Sequence, residues 1–307
     1  RVPVSKPKLI HHNKSKYTRL LRTLRAAPHL ALHIRSITII LGQSKSRTSE
    51  DLELLGLCSR VEGIFIIGGN ARSASLPALV ARLRSMRIRP IFLSVSGPSA
   101  VVNALLQIWP CARALEVHAR FDITDAEPAA MRIHPAAEAL SILGNTLYWA
   151  APIGGLLTVR GLELQHIEWS NDVLCGHLLA SGVLPRLRSL CITGSYATPV
   201  PRAVLEQLAR VESLVLSALP QEAMPLPRAL RHLGYHFYGL GEERIVGVRL
   251  LMDAARALSE LRLVTATRRS SVEVLNEFEI GCRDAGVELV VYEEPRYFSR
   301  PGNVDWI

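Results

Sequence analysis

Residues 184–217 read LPRLRSLCITGSYATPVPRAVLEQLARVESLVLS and hold one short text twice. Leu187-x-x-Leu190-x-Ile192 opens the stretch, and Val211-x-x-Leu214-x-Leu216 closes it 24 residues later, counted between Leu190 and Leu214. Side chains alternate along a strand, so the two apolar residues flanking the variable one enter the same core and the variable one faces away. Between the two copies the apolar period lengthens, with Val204, Leu205 and Leu208 on one helical face. Thr198 before Pro199 is a helix-start signal. The stretch therefore predicts a strand, a helix and a second strand parallel to the first.

The same text runs along the chain. It appears as Ile34-x-x-Ile37-x-Ile39, Val61-x-x-Ile64-x-Ile66, Ile88-x-x-Ile91-x-Leu93 and Ala112-x-x-Leu115-x-Val117. After a gap it returns as Val159-x-x-Leu162-x-Leu164, Leu230-x-x-Leu233-x-Tyr235 and Leu258-x-x-Leu261-x-Leu263, with a degenerate copy at Val287, Leu289 and Val291. Measured between middle apolar residues, the steps are 27, 27, 24, 47, 28, 24, 19 and 28 residues, and most lie in the leucine-rich-repeat range. Helical faces follow at Leu76, Leu79, Val80 and Leu83 and at Val173, Leu174, His177 and Leu178, with start signals at Ser49, Ser75 and Asn171. A doubly wound sheet also alternates strand and helix, but it needs no self-similar strand. The expected fold is α/β, an irregular leucine-rich-repeat solenoid with parallel strands on the concave face and helices on the convex face.

The 47-residue step is read as one enlarged unit with a long helix over residues 134–151, or as a missed degenerate repeat. Leu20, Leu21 and Leu24 make residues 17–27 an amphipathic helix capping the solenoid. The expected organisation is a basic arm at 1–16, the solenoid at 17–295, and a C-terminal cap or tail at 296–307. In it, Tyr297, Phe298 and Trp306 cover the last repeat, beside Glu293 and Glu294.

Composition suits a packed protein, with 49% apolar and 21% charged residues. The net charge of +9 is local: eleven Lys or Arg and no acid precede Glu50, and every cation after Lys45 is an Arg or His. The remaining 258 residues hold 25 Lys or Arg against 27 acids. A second alternative reading has this basic arm bind nucleic acid; Tyr17 is its only aromatic, so interleaved base-stacking residues are absent and nucleic acid is not the expected partner. Cysteines 58, 111, 175, 191 and 282 are odd in number and never spaced C-x-x-C, which reads as buried thiols and a cytoplasmic or nuclear protein. Residues 1–25 lack an apolar signal core, and the uncharged run 139–159 is broken by Gly144, Pro152 and Gly154, so neither secretion nor a membrane span is expected.

Residues 19–39, RLLRTLRAAPHLALHIRSITI, resemble the opening of the repeat region in fungal, particularly basidiomycete, F-box and leucine-rich-repeat-like proteins. Leu21, Leu24, Pro28, Leu30, Ile34, Ser36 and Ile37 carry the likeness, and the strand texts at 184–193 and 210–217 extend it over roughly residues 15–295. The resemblance implies a substrate-recognition part of an F-box-type ubiquitin-ligase subunit. No L-P-x-E-type opening precedes Tyr17, so a Skp1-type adaptor is implied only where the full-length protein carries an F-box.

Enzyme-like features are few. Gly63-Ile-Phe-Ile-Ile-Gly68-Gly69-Asn70 is a strand running into a glycine turn, the basis of an alternative nucleotide-binding reading, but it lacks G-x-x-x-x-G-K-[ST]. His232 and His236 have H-x-x-x-H spacing, which in a strand spans about 13 Å, too far for one metal. His11 and His12 belong to the solvated arm, and no G-x-S-x-G occurs. No cofactor, metal or catalytic residue is expected. The expected partner is another protein, held by outward strand positions: Ile40, Phe65, Ile67, Phe92, Glu116, His118, Glu163, Gln165, His236 and Arg262, with Ile40, Phe65, Ile67 and Phe92 as an apolar patch.

Overall fold

The computed structural model of the chain describes residues 14–41, 45–68, 76–120, 131–134, 136–144, 153–154, 156–165, 172–193, 199–236, 245–267 and 269–293. Where apolar residues alternate, the chain forms β1 (Ser36–Leu41), β2 (Gly63–Gly68), β3 (Phe92–Pro98), β4 (Ala114–Arg120), β5 (Ala139–Gly144) and β6 (Gly161–Gln165). It continues with β7 (Ser189–Thr193), β8 (Ser213–Leu216), β9 (His232–Tyr235), β10 (Leu263–Thr267) and β11 (Glu288–Tyr292). These eleven lie in one sheet in chain order, each parallel to the one before it. A doubly wound sheet would reverse its order at a switch point; strict succession is the geometry of a solenoid, as the repeat text implies.

Parallel neighbours need crossovers, and helices supply most of them. They are α1 (Lys14–Ala26), α2 (Lys45–Leu57), α3 (Leu76–Ser85), α4 (Ser99–Leu106), α5 (Asp172–Ser181), α6 (Arg202–Leu205), α7 (Ile245–Arg256) and α8 (Val272–Ala285). α1 buries Leu21 and Leu24 at the N-terminal end, as its leucine spacing implies. α3 and α5 begin at the residues that follow Ser75 and Asn171, whereas α2 begins at Lys45, ahead of Ser49, and α6 is one turn entered after Pro201. No helix spans β8 and β9, which explains the shortest step of the series.

Between sheet and helices runs the core. Its first row contains Ile37, Ile64, Leu93, Leu115, Leu140, Leu162, Leu190, Leu214, Leu233 and Val264, all buried and all register partners across neighbouring strands. Two residues further along each strand, a second buried row runs from Ile39 to Ala266. Each fully buried Leu or Ile contributes roughly 1.5–3 kcal/mol, so the rows are the main source of cohesion between coils.

Three expectations are corrected. The expected helix over 134–151 is absent from its described part, which contains β5 with Ala137-x-x-Leu140-x-Ile142 as a full repeat text and all three residues buried. An uncharged run such as ALSIL at 139–143 suits helix or strand by periodicity alone, and packing between Leu115 and Leu162 settles it as strand. In β3 the residue in register with Ile64 and Leu115 is Leu93, not Ile91, which is exposed. In β10 the partner of Leu233 is Val264, so Leu261 takes the leading position and the strand is shifted by three residues from the sequence reading.

These registers place a line of charged residues along one rim, two positions before the buried markers from β1 to β10, with Ile91 on β3 as the uncharged exception. Backbone N–H groups stitch it: Glu62 donates to the Arg35 carbonyl (2.8 Å), Glu138 to Arg113 (2.7 Å), Arg188 to Arg160 (2.7 Å), Glu212 to Arg188 (2.7 Å), Arg231 to Glu212 (2.8 Å) and Arg262 to Arg231 (2.9 Å). Among the described residues three neighbouring pairs on it are ion pairs, Arg35 with Glu62 (2.9 Å), Arg113 with Glu138 (2.6 Å) and Arg231 with Glu212 (3.7 Å).

Among the described residues no helix is long and apolar enough to cross a membrane. Residues 1–13 of the basic arm, with His11 and His12, lie outside the described residues, as do the tail at 296–307 with Tyr297, Phe298 and Trp306, and Gly69 with Asn70.

Candidate functional site: the concave face

Alternation sends the residues on either side of each core position to the face of the sheet away from the helices. At the N-terminal end this face carries the expected apolar patch. Ile40 and Ile67 are register partners on β1 and β2, and Ile67 is 43% exposed. Phe65 is partly buried and Phe92 buried, their ring centroids 5.2 Å apart at 50°. Phe92 belongs to this face, but it stands opposite Gly63 and Ala114, one position before the core residue and not one after it. A Cβ on Gly63 would lie 3.7 Å from the Phe65 ring and 3.8 Å from the Phe92 ring, ordinary contact distances, so the ring pair does not depend on that glycine.

On β4 the patch meets a polar pair. The Glu116 Oε1 lies 2.5 Å from His118 Nε2, and the Ser94 hydroxyl donates to the same oxygen at 3.3 Å. Both side chains remain partly accessible.

Further along, the face is closed. Glu163 and Gln165 on β6 and His236 just past β9 occupy the expected outward positions, yet are exposed by only 1%, 4% and 3%. Gln165 Nε2 donates to Glu163 Oε1 at 2.7 Å. Burial pushes the Cys191 thiol well up, and the nearby Glu163 charge adds to the effect. His232 lies between two hydroxyls, Ser213 Oγ at 2.8 Å from Nδ1 and Thr265 Oγ1 at 2.9 Å from Nε2. A neutral imidazole suits that position, donating from one nitrogen and accepting at the other. Burial lowers His232 to about 4; burial and the neighbouring His232 lower His236 to about 4 as well.

Arg262 is not on this face. It stands on the charged rim, where its Nη1 donates to the carbonyls of Ser259 (3.0 Å) and Leu261 (3.3 Å), and Thr265 takes the concave position on β10. The sequence reading also passed over Ser141, on the unrecognised strand β5, and Ser96 and Thr265, displaced by the register shifts. Each follows from the marker spacing once Leu140, Leu93 and Val264 are taken as core residues.

The glycine turn has a packing role. A Cβ on Gly68 would lie 2.9 Å from the Ser96 carbonyl oxygen, and one on Gly97, whose φ is +154°, would lie 2.8 Å from the Gly68 carbonyl oxygen. Two backbones approach here too closely for side chains, which explains Gly68 without a phosphate. Among the described residues, no three or more His, Cys, Asp or Glu stand together to hold a metal ion.

Strand order, register and a face of outward side chains define an α/β solenoid of leucine-rich-repeat type. No family model matches the sequence, and no curated protein matches it. Among solved structures, the leucine-rich repeat-containing protein LegL7 from Legionella pneumophila aligns with a TM-score of 0.49 at 16% identity, covering 95% of this chain and 93% of that one. Human 5T4, Wnt-activated inhibitory factor 1 or trophoblast glycoprotein, aligns with a TM-score of 0.31 at 17% identity, covering 68% of this chain and 70% of that one. The fold assignment rests on the sheet itself, because superpositions this loose add nothing to it.

Proposed function

We propose that the chain is a non-enzymatic protein-binding repeat module, and that it takes an aliphatic segment of another protein on the N-terminal end of its concave face. The carrying observation is the exposed Ile67 beside its register partner Ile40, next to Phe65 and Phe92 and bordered by Glu116 and His118. An apolar centre with a polar edge is the layout in which a few side chains carry most of the binding energy. Glu163, Gln165 and His236 are buried and play no direct part in this reading; Arg262 lies on the rim.

In its finer form the module is the substrate-recognition part of an F-box-type ubiquitin-ligase subunit, working in the cytoplasm or nucleus. The resemblance of residues 19–39 supports that form. Affinity purification of the full reading frame from the native organism, with mass spectrometry, tests both levels. The module reading expects a protein that Ile67→Glu loses and that binds the purified chain directly. The ligase reading expects Skp1 and cullin peptides in the same eluate. A direct partner without Skp1 or cullin removes the ligase role and leaves the module. A partner retained equally by Ile67→Glu contradicts the placement on this patch.

A further inference from the structure

The charged rim sets like charges on consecutive rungs between Arg160 and Arg188 and again between Arg231 and Arg262. Arg160 and Arg188 are consecutive rungs, their backbones joined by a 2.7 Å hydrogen bond, so two exposed arginines spring from neighbouring coils about 5 Å apart. The neighbouring carboxylates are engaged elsewhere: Glu138 is held by Arg113 through two hydrogen bonds of 3.0 and 2.6 Å, and Glu212 pairs with Arg231. Arg231 and Arg262 are also consecutive, but Arg231 has Glu212, and Arg262 donates to two backbone carbonyls. For Arg160, the described partner is the Arg186 carbonyl at 3.4 Å, another uncharged acceptor.

A cavity of about 480 Å³ opens at the Arg160 and Arg188 rungs. Arg160, Arg186, Arg188 and Arg210 line it, with Glu212 as the one acidic residue and Gly161, Ala209 and Ala229 as the small ones. Among the described residues, none of the four arginines forms an ion pair with a carboxylate. Four like charges converging on a recess repel one another, and an oxyanion placed among them relieves that repulsion. Guanidinium forks match the planar or tetrahedral oxygens of carboxylate and phosphate groups, which suits a rim whose cations are arginine rather than lysine.

We propose that this recess is an anion-binding site for a multiply charged side-chain cluster on a polypeptide, either a phosphorylated residue or grouped carboxylates. The recess is larger than a lone phosphate needs and lined with small residues that admit a peptide beside its anion. Nucleic acid fits less well. The lining has no aromatic residue for base stacking, and the positive charge is bounded by the Arg113–Glu138 and Glu212–Arg231 pairs, leaving no track for a repeating phosphate backbone. The proposal shares with the module reading only the premise of a protein ligand, and it uses a different surface from the Ile67 patch.

The test uses the full chain and three degenerate twelve-residue peptide libraries, centred on phosphoserine, on three consecutive glutamates or on unmodified serine, with fluorescence anisotropy as the readout. The expected result is binding of at least one charged library, weakened on the order of tenfold or more by Arg188→Glu and by Arg160→Glu. Whichever library binds identifies the anion. Arg188→Glu replaces an exposed side chain and sets the new charge between Arg160 and Glu212, one attraction against one repulsion, so it is expected to melt close to the parent and lost binding is not lost folding. Ile67→Glu is expected to bind the charged library normally, which separates this site from the concave patch. Binding no stronger than to the serine library, or unchanged in both arginine variants, overturns the proposal. So does a single-stranded oligonucleotide that binds more tightly than either charged library and is lost in the same variants.

Discussion

Leu140 on β5 stands in register with Leu115 on β4 and Leu162 on β6, filling the widest gap in the repeat text with a strand. All three are buried in one row, so Leu140→Ala should open a cavity and destabilise the fold by about 2–5 kcal/mol. Urea unfolding followed by circular dichroism checks the value. Hydrogen exchange should show slow amides in β5, paired to both neighbours; fast exchange there would remove the strand.

The Gly68 and Gly97 backbones leave no room for a Cβ, and Gly97 adopts a φ that other residues avoid. Gly97→Ala should therefore lower stability by roughly 1–3 kcal/mol, measurable in the same unfolding experiment. The nucleotides ATP and GTP should produce no thermal shift, since the glycines already serve close packing. A clear stabilisation by either would revive a phosphate role for the turn.

His232 and His236 titrate near 4 in the fold, against 6.5 unperturbed, because burial disfavours their charged forms. Between those values the unfolded chain binds more protons than the folded one, so stability rises with pH across the window and is lost as pH falls through it. The melting temperature should drop between pH 6.5 and 4.5, and His232→Gln with His236→Gln should flatten that slope. The slope is the informative quantity, because either substitution also alters hydrogen bonding at the site.

The expectation of buried thiols holds for Cys58, Cys191 and Cys282, while Cys175 is partly exposed and Cys111 exposed. Burial raises Cys58 and Cys282 to about 11. Iodoacetamide at pH 7.5 should modify Cys111 first in the native protein and reach Cys58, Cys191 and Cys282 only on unfolding. Peptide mass mapping over time reads the order directly.

Repeat text made the solenoid legible, because one buried row must be refilled by every coil. Register was harder. In β3, both Ile91 and Leu93 fit the marker, and the proline at the leading position 90 disguised the correct frame. In β10, Leu258, Leu261 and Leu263 satisfied the pattern three residues early. The charged rim could have corrected the second error, since Arg35, Glu62, Arg113, Glu138, Arg160, Arg188, Glu212 and Arg231 all precede their marker by two, and Arg262 does so only when Val264 is the marker. Outwardness along the face was legible, but accessibility was not. Glu163 and Ile67 both occupy outward positions, and one is buried while the other is open, a difference set by what surrounds each strand and not by its own text.

Ile67 is the most direct test of the binding face. It lies outside the core, so Ile67→Glu should change folding stability by no more than about 0.5 kcal/mol. Against a partner purified by direct capture, calorimetry should show its affinity reduced by about 2 kcal/mol or more, roughly thirtyfold, while Glu288→Ala on the far edge strand leaves it unchanged. Equal affinity for the parent and for Ile67→Glu, with both folded, would contradict the assignment of this face.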